Sequence, residues 1–91
     1  MNKQQQLHKL QKVIQQGIAL HKSGKLDEAE QRYRSVLRLQ PSHPDALHFY
    51  GLLLHRLGKP AEAIESVKRA TAAAPAYSDA HNNLGNLLKL A

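Results

Sequence analysis

The chain has 91 residues, 42% hydrophobic and 22% charged, which is at most one small domain burying a little over half of its unfolded surface and disfavours a deep enclosed active site. It contains no cysteine, which excludes disulfides and thiolate metal sites, and its aromatic residues are three tyrosines and one phenylalanine, which leaves the core to Leu, Ile, Val and Ala and suits helices better than a sheet sandwich. Lys plus Arg outnumber Asp plus Glu by 13 to 7, giving +6 and a pI near 9.9, yet no run of adjacent basic residues exceeds Lys68-Arg69, which disfavours a dedicated nucleic-acid stripe and favours solvated helix faces with a cationic bias.

The N-terminal stretch to Gln6 is polar, without the apolar core of a signal segment, and no apolar run approaches the roughly 20 residues of a membrane helix. A soluble, cytoplasmic protein is the expectation. Internal repetition then organises the rest. A shift of 34 residues places Gly17 on Gly51 and Gly85, Leu20 on Leu54 and Leu88, and Gly24-Lys25 on Gly58-Lys59. It also places Glu28-Ala29 on Glu62-Ala63, Pro41 on Pro75, Asp45-Ala46 on Asp79-Ala80, and Leu53 on Leu87.

In chain order, residues 1–9 read as a polar backward extension of the first helix. From Val13 to Leu20 apolar residues recur at three- and four-residue spacing, one greasy helical face. Ser23-Gly24 supplies the glycine that can take a positive φ past a helix end. A second helix is predicted from about Leu26 to Leu39, with Glu28 near its positive end, and Pro41 closes it. The pattern returns with a helix through Leu47–Leu54, a break at Leu57-Gly58, and a helix from Pro60, a first-turn residue, to Ala73, before Pro75. Ser78 opens a third period that holds only its first helix. The expected boundaries are therefore an extension over 1–9, repeats over 10–43 and 44–77, and a truncated third repeat over 78–91.

These residues resemble the tetratricopeptide repeat family, whose pattern has glycine in the middle of the first helix, alanine and an aromatic in the second, and a closing proline. Gly17, Ala29, Tyr33 and Pro41 fit it in the first repeat, Gly51, Ala63 and Pro75 in the second, and Gly85 in the third. Val13, Leu47 and His81 stand where the family favours tryptophan or another large apolar group, and Val67 replaces the aromatic, which predicts looser packing there. The resemblance implies an all-α fold, an alpha-alpha superhelix or solenoid of about five antiparallel helices. The small residues would mark where two helices cross closely, because a longer side chain would push them apart.

The resemblance further implies a concave wall built from the first helix of each repeat. Its positions are Gln11, Ile14, Gln15, Ile18, His21 and Lys22, then Asp45, His48, Phe49, Leu52, His55 and Arg56, then Asp79, Asn82, Asn83, Asn86 and Lys89. Asn83, within His81-Asn82-Asn83-Leu84-Gly85-Asn86, resembles the asparagine ladder by which repeats of O-linked N-acetylglucosamine transferases hold a peptide backbone. An amide both donates and accepts, which suits it to a main chain, but Gln15 and Phe49 take the matching places here. Other repeats of the family clamp a peptide's terminal carboxylate with Lys and Asn; Ile14 and Ile18 stand at two of those positions. The expected anchor is instead an apolar spot of Phe49, Leu52 and Ile18 flanked by Lys22 and Arg56, for a protein or peptide with hydrophobic and acidic residues.

No catalytic, cofactor or metal site is expected. No nucleophile has a recognisable base, and no phosphate loop is present. His48 and His55 lie two helical turns apart, about 11 Å, too far to share an ion. A last helix without a partner would expose Leu84, Leu87 and Leu90 as a self-association stripe. The leading expectation is a protein-binding adaptor module, placed in the N-terminal part of a larger repeat-containing protein such as a bacterial glycosyltransferase or sulfotransferase. The alternatives are a scaffold that oligomerises through its last helix, and a basic nucleic-acid-binding protein.

Overall fold

The computed structural model describes residues 2–91. Five helices follow one another with no strand among the described residues: α1 (Lys3–Lys22), α2 (Leu26–Leu39), α3 (Pro44–Arg56), α4 (Pro60–Ala73) and α5 (Ser78–Leu90). They form an all-α helical-repeat solenoid in which each helix packs on the next and α1 also touches α3. None is long and apolar enough to cross a membrane.

Local chemistry sets the ends. Asn2 caps α1: its side chain accepts from the Gln5 backbone N–H at 2.8 Å while Gln5 Oε1 accepts from the Asn2 N–H at 3.2 Å. This reciprocal pair satisfies two donors left free by the first turn. The turns after α1 and α3 close through Gly24 (φ +82°) and Gly58 (φ +80°), a left-handed geometry that only glycine adopts without strain. The next helices begin with Asp27 and Glu28 in α2 and Glu62 in α4, carboxylates at the positive end of the helix dipole. Pro44 and Pro60 occupy first-turn positions where a missing N–H costs nothing.

Two fused cores hold the pairs together. Leu10, Ile14, Ala29, Tyr33, Val36, Ala46 and Leu53 form one; Leu47, Leu54, Ala63, Val67, Ala70, Ala80 and Leu87 form the other. The glycines set how closely the helices cross. A Cβ added to Gly17 would stand 2.7 Å from a Tyr33 ring carbon, and one added to Gly51 would strike Val67 Cγ2 and lie 3.1 Å from the Ala63 carbonyl. The contact at Val67 is therefore tight, and the looser packing predicted from its missing ring does not occur: α4 moves in against the glycine. Polar ties reinforce the apolar ones. Ser66 Oγ donates to the Leu47 carbonyl at 2.7 Å, and Tyr50 Oη accepts from Arg34 Nε and donates to Glu30, both at 3.1 Å.

α5 repeats only half of this pattern. Ala80 and Leu87 face the second core and are buried, while a Cβ added to Gly85 would meet nothing within 4 Å.

Candidate functional site

The wall made by α1, α3 and α5 carries most of the residues singled out from the sequence, but not all on its surface. Ile14 and His48 occupy equivalent places one repeat apart, and both are buried, at 0% and 2% exposure. Each lies in the seam between its own helix and the first helix of the following repeat: Ile14 joins Ala46 and Leu53 in the first core, and His48 meets residues from Tyr77 and α5. A ligand in the groove therefore cannot reach His48 as a surface contact. Asn82, at the same place on α5, is exposed because no further helix leans on it.

His48 is held by a directed chain of hydrogen bonds. Asn83 Nδ2 donates to His48 Nε2 at 2.8 Å, which puts the ring proton on Nδ1, and Nδ1–H donates to Tyr77 Oη at 2.9 Å. The Tyr77 ring meets the His48 ring edge-on, with centroids 5.0 Å apart. Burial holds the His48 pKa below its usual 6.5, against the opposing pull of Asp45 and Asp79, and keeps the ring neutral. Burial, followed by the hydrogen bond to Asp45, pushes the Tyr77 hydroxyl well above its usual range. The sequence pattern passed over Tyr77; its signal was a scarce aromatic two residues after the closing Pro75.

The apolar spot forms as a pocket of about 240 Å³ lined by Ile18, His21, Lys22, Tyr33, Phe49, Leu52 and Arg56. Phe49 is half-buried, packed against the first core and tilted on His48 at a centroid distance of 4.9 Å. Ile18 and Leu52, equivalent positions on α1 and α3, are half-buried and both line the pocket. Tyr33 forms part of the floor; its hydroxyl is buried without a hydrogen-bond partner among the described residues, and burial pushes its pKa up to about 12. At the rim, Arg56 Nη1 donates to the His21 carbonyl at 3.1 Å, so the guanidinium is anchored across the gap between α1 and α3 with donors to spare. Every charged or titratable group lining the pocket, apart from the Tyr33 hydroxyl, is a base: His21, Lys22 and Arg56. Partial burial and then the neighbouring Arg56 charge lower the His21 pKa.

The other wall residues fall around this centre. Gln11, Gln15 and His55 are exposed, Asp45 is half-buried, and Asp79, Asn82, Asn86 and Lys89 are exposed on α5. Asn83 is half-buried with its amide nitrogen committed to His48. The expected self-association stripe needs correction. Leu87 is 5% exposed because it stands where Leu53 stands one repeat earlier, facing the preceding repeat, and Leu84 is half-buried. Leu90 is 70% exposed, and Leu88, which the sequence reading did not single out, is 50% exposed.

The chain matches the family model described as Tetratricopeptide repeat over residues 14–78 and again over 51–89. No curated protein sequence matches it. Among solved structures it is similar to an O-GlcNAc transferase mutant from Thermobaculum terrenum, with a TM-score of 0.82 at 30% identity over 87% of this chain. It is also similar to the first TPR of Spaghetti (RPAP3) bound to the HSP90 peptide SRMEEVD, with a TM-score of 0.80 at 26% identity over 88% of this chain. The matched regions span 15% and 64% of those two chains.

Proposed function

The chain belongs to the tetratricopeptide repeat family, and from that premise we propose that it is a non-catalytic module whose concave pocket takes a hydrophobic side chain of a protein or peptide partner, with an acidic residue beside it at Arg56 and Lys22. The observation that carries this reading is the pocket itself: an apolar floor of Ile18, Phe49 and Leu52, a rim of three bases, and no carboxylate. Such a site favours one desolvated anchor steered by charge. The structural relative whose title names a bound peptide supports the class of ligand, since SRMEEVD combines apolar Met and Val with three acids. The placement differs, however. Ile14 is fully buried and Ile18 is part of an apolar floor, so neither position offers a donor to a terminal carboxylate, and the partner segment proposed here is internal to its chain.

Titration of the ¹⁵N-labelled protein with an acetylated, amidated peptide carrying one leucine between two glutamates tests this. Shifts are expected at Ile18, Phe49, Leu52 and Arg56, with at least a tenfold loss of affinity in Phe49→Ala. Shifts confined to residues outside the pocket would sink the proposal.

A second reading, self-association through α5, is favoured by the open space at Gly85 and the exposure of Leu88. We further propose that the module lies in the N-terminal part of a larger protein; the match covers 15% of the transferase chain, an example of such repeats within a longer protein.

A further inference from the structure

Among the described residues one buried side-chain polar atom lacks a hydrogen-bond partner, the Tyr33 hydroxyl. The other buried polar side chains, Ser66 and His48, are both paired. Helix packing does not call for this hydroxyl. Val67, the register equivalent of Tyr33 one repeat later, closes on Gly51 with its methyl groups alone. An unpaired hydroxyl costs the free protein stability, which directs attention to what it faces.

The Tyr33 ring enters the concave pocket from behind. Ile18, His21 and Lys22 line that pocket from α1 and Phe49, Leu52 and Arg56 from α3, whereas Tyr33 alone comes from α2. A Cβ added to Gly17 would stand 2.7 Å from Tyr33 Cε1 and 3.1 Å from Cζ, so the outer half of the ring lies at the α1 crossing. The hydroxyl carried on Cζ is therefore the part of the side chain that reaches furthest from α2 toward the pocket. Burial pushes its pKa up to about 12, so at neutral pH it stays an O–H that both donates and accepts.

We infer that the partner's anchor is a tyrosine, whose ring fills the apolar pocket and whose hydroxyl pairs with that of Tyr33. The inference rests on the concave-pocket reading above and specifies its anchor. The chemistry of the site selects among side chains. Leucine or phenylalanine fills apolar space but leaves the Tyr33 hydroxyl unpaired, and a methionine sulfur accepts only weakly. A carboxamide brings an acceptor and two N–H donors to a floor where one polar atom waits, and the surplus is desolvated at a cost. Serine and threonine carry their hydroxyl too close to their own backbone to reach the floor. Tyrosine is apolar along its length and ends in a single hydroxyl. The Tyr33 hydroxyl is sealed from water, so the phenol reaches it by shifting Ile18, Phe49 or Leu52, each only half-buried. Because its desolvation is already complete in the free protein, a hydroxyl that pairs there gains the full bond. An acid beside the tyrosine then meets Lys22 and Arg56 at the rim.

Two acetylated, amidated peptides that carry tyrosine or phenylalanine between two glutamates differ by this one oxygen. Each is titrated into the ¹⁵N-labelled parent and into Tyr33→Phe, which keeps the ring that packs on Gly17. The parent is expected to bind the tyrosine peptide about tenfold more tightly than the phenylalanine peptide, and Tyr33→Phe to abolish that preference. Equal binding of the two peptides by the parent, with shifts at Ile18, Phe49 and Leu52, overturns the tyrosine anchor and leaves the pocket reading standing. A preference for tyrosine that persists in Tyr33→Phe also overturns it, because the partner of the phenol then lies elsewhere. Absence of pocket shifts with either peptide overturns the anchor, and the same absence with the leucine peptide removes the pocket reading as well. The comparison of the two peptides on the parent decides the matter even where Tyr33→Phe fails to fold.

Discussion

Asn83 donates its amide hydrogen to Nε2 of His48 across 2.8 Å, so the side chain on α5 with the strongest resemblance to a ligand-gripping asparagine is already a bolt between α5 and α3. Truncating it leaves a buried ring nitrogen without a donor. Asn83→Ala is expected to lower stability by about 1–2 kcal/mol, read from urea denaturation. A melt identical to the parent's would show that the bond contributes nothing and return Asn83 to the groove.

The three register-equivalent glycines separate crossing geometry from helix propensity. Gly51→Ala drives a methyl into Val67 and toward the Ala63 carbonyl, and a loss of about 2–3 kcal/mol is expected for such overpacking. Gly85→Ala meets only open space and is expected to gain about 0.5–1 kcal/mol from the stiffer backbone. Equal effects at the two positions would mean that the crossing is not what constrains Gly51.

The buried Tyr33 hydroxyl has no partner among the described residues. Tyr33→Phe removes a desolvated polar atom and keeps the ring that packs on Gly17, so stability is expected to stay level or rise by up to about 1 kcal/mol. A clear loss would reveal a hydrogen bond, for instance through water.

Stability should also depend on pH with a definite sign. His21 and His48 both have folded-state pKa values below their usual 6.5. Near and below that pH the unfolded chain therefore binds more protons than the folded one, and stability rises with pH. The contribution is complete above 6.5 and is lost as pH falls through 6.5 toward the folded values. Urea midpoints at pH 8 and pH 5.5 should differ in that direction, and His48→Gln should reduce the difference. A midpoint that moves the other way would contradict the neutral, buried state of the ring.

Binding at the pocket should respond to salt and to the anchored guanidinium. Arg56→Gln is expected to weaken an acidic peptide several-fold and flatten the salt dependence, whereas it should leave an uncharged leucine peptide unaffected. Fluorescence anisotropy at 50 and 500 mM salt distinguishes the two.

Much of this architecture was legible because helix pairs that cross closely force small residues to recur. Gly17 with Gly51, and Ala29 with Ala63, disclose the period, and Pro41 and Pro75 the ends of α2 and α4. Part of the pocket lining was legible for the same reason, since Ile18 with Leu52 and Lys22 with Arg56 are register equivalents on one helix face, whereas Phe49, whose equivalent is Gln15, has no such partner. Less visible was depth. A helical pattern shows which way a residue points but not what the next repeat lays over it, so Ile14 and His48 read as groove lining when they are seam. Leu87 read as exposed because the last helix lacks a partner, yet it points back to the preceding repeat and not toward the open side. Hydrogen-bond partners such as Tyr77 lie outside any periodic signal.

The near-linear packing of the helices, each mainly against the next, with α1 touching α3 and α3 bridged to α5 through His48 and Asn83, shapes how the fold comes apart. There is no single enclosing core whose loss is felt everywhere at once. Amide exchange is therefore expected to form a gradient, fastest in α5, which one core face and the His48 bridge retain, and slowest in α3 and α4. The terminal helix can open and reclose while the pocket between α1 and α3 stays assembled, so the two surfaces operate on separate clocks.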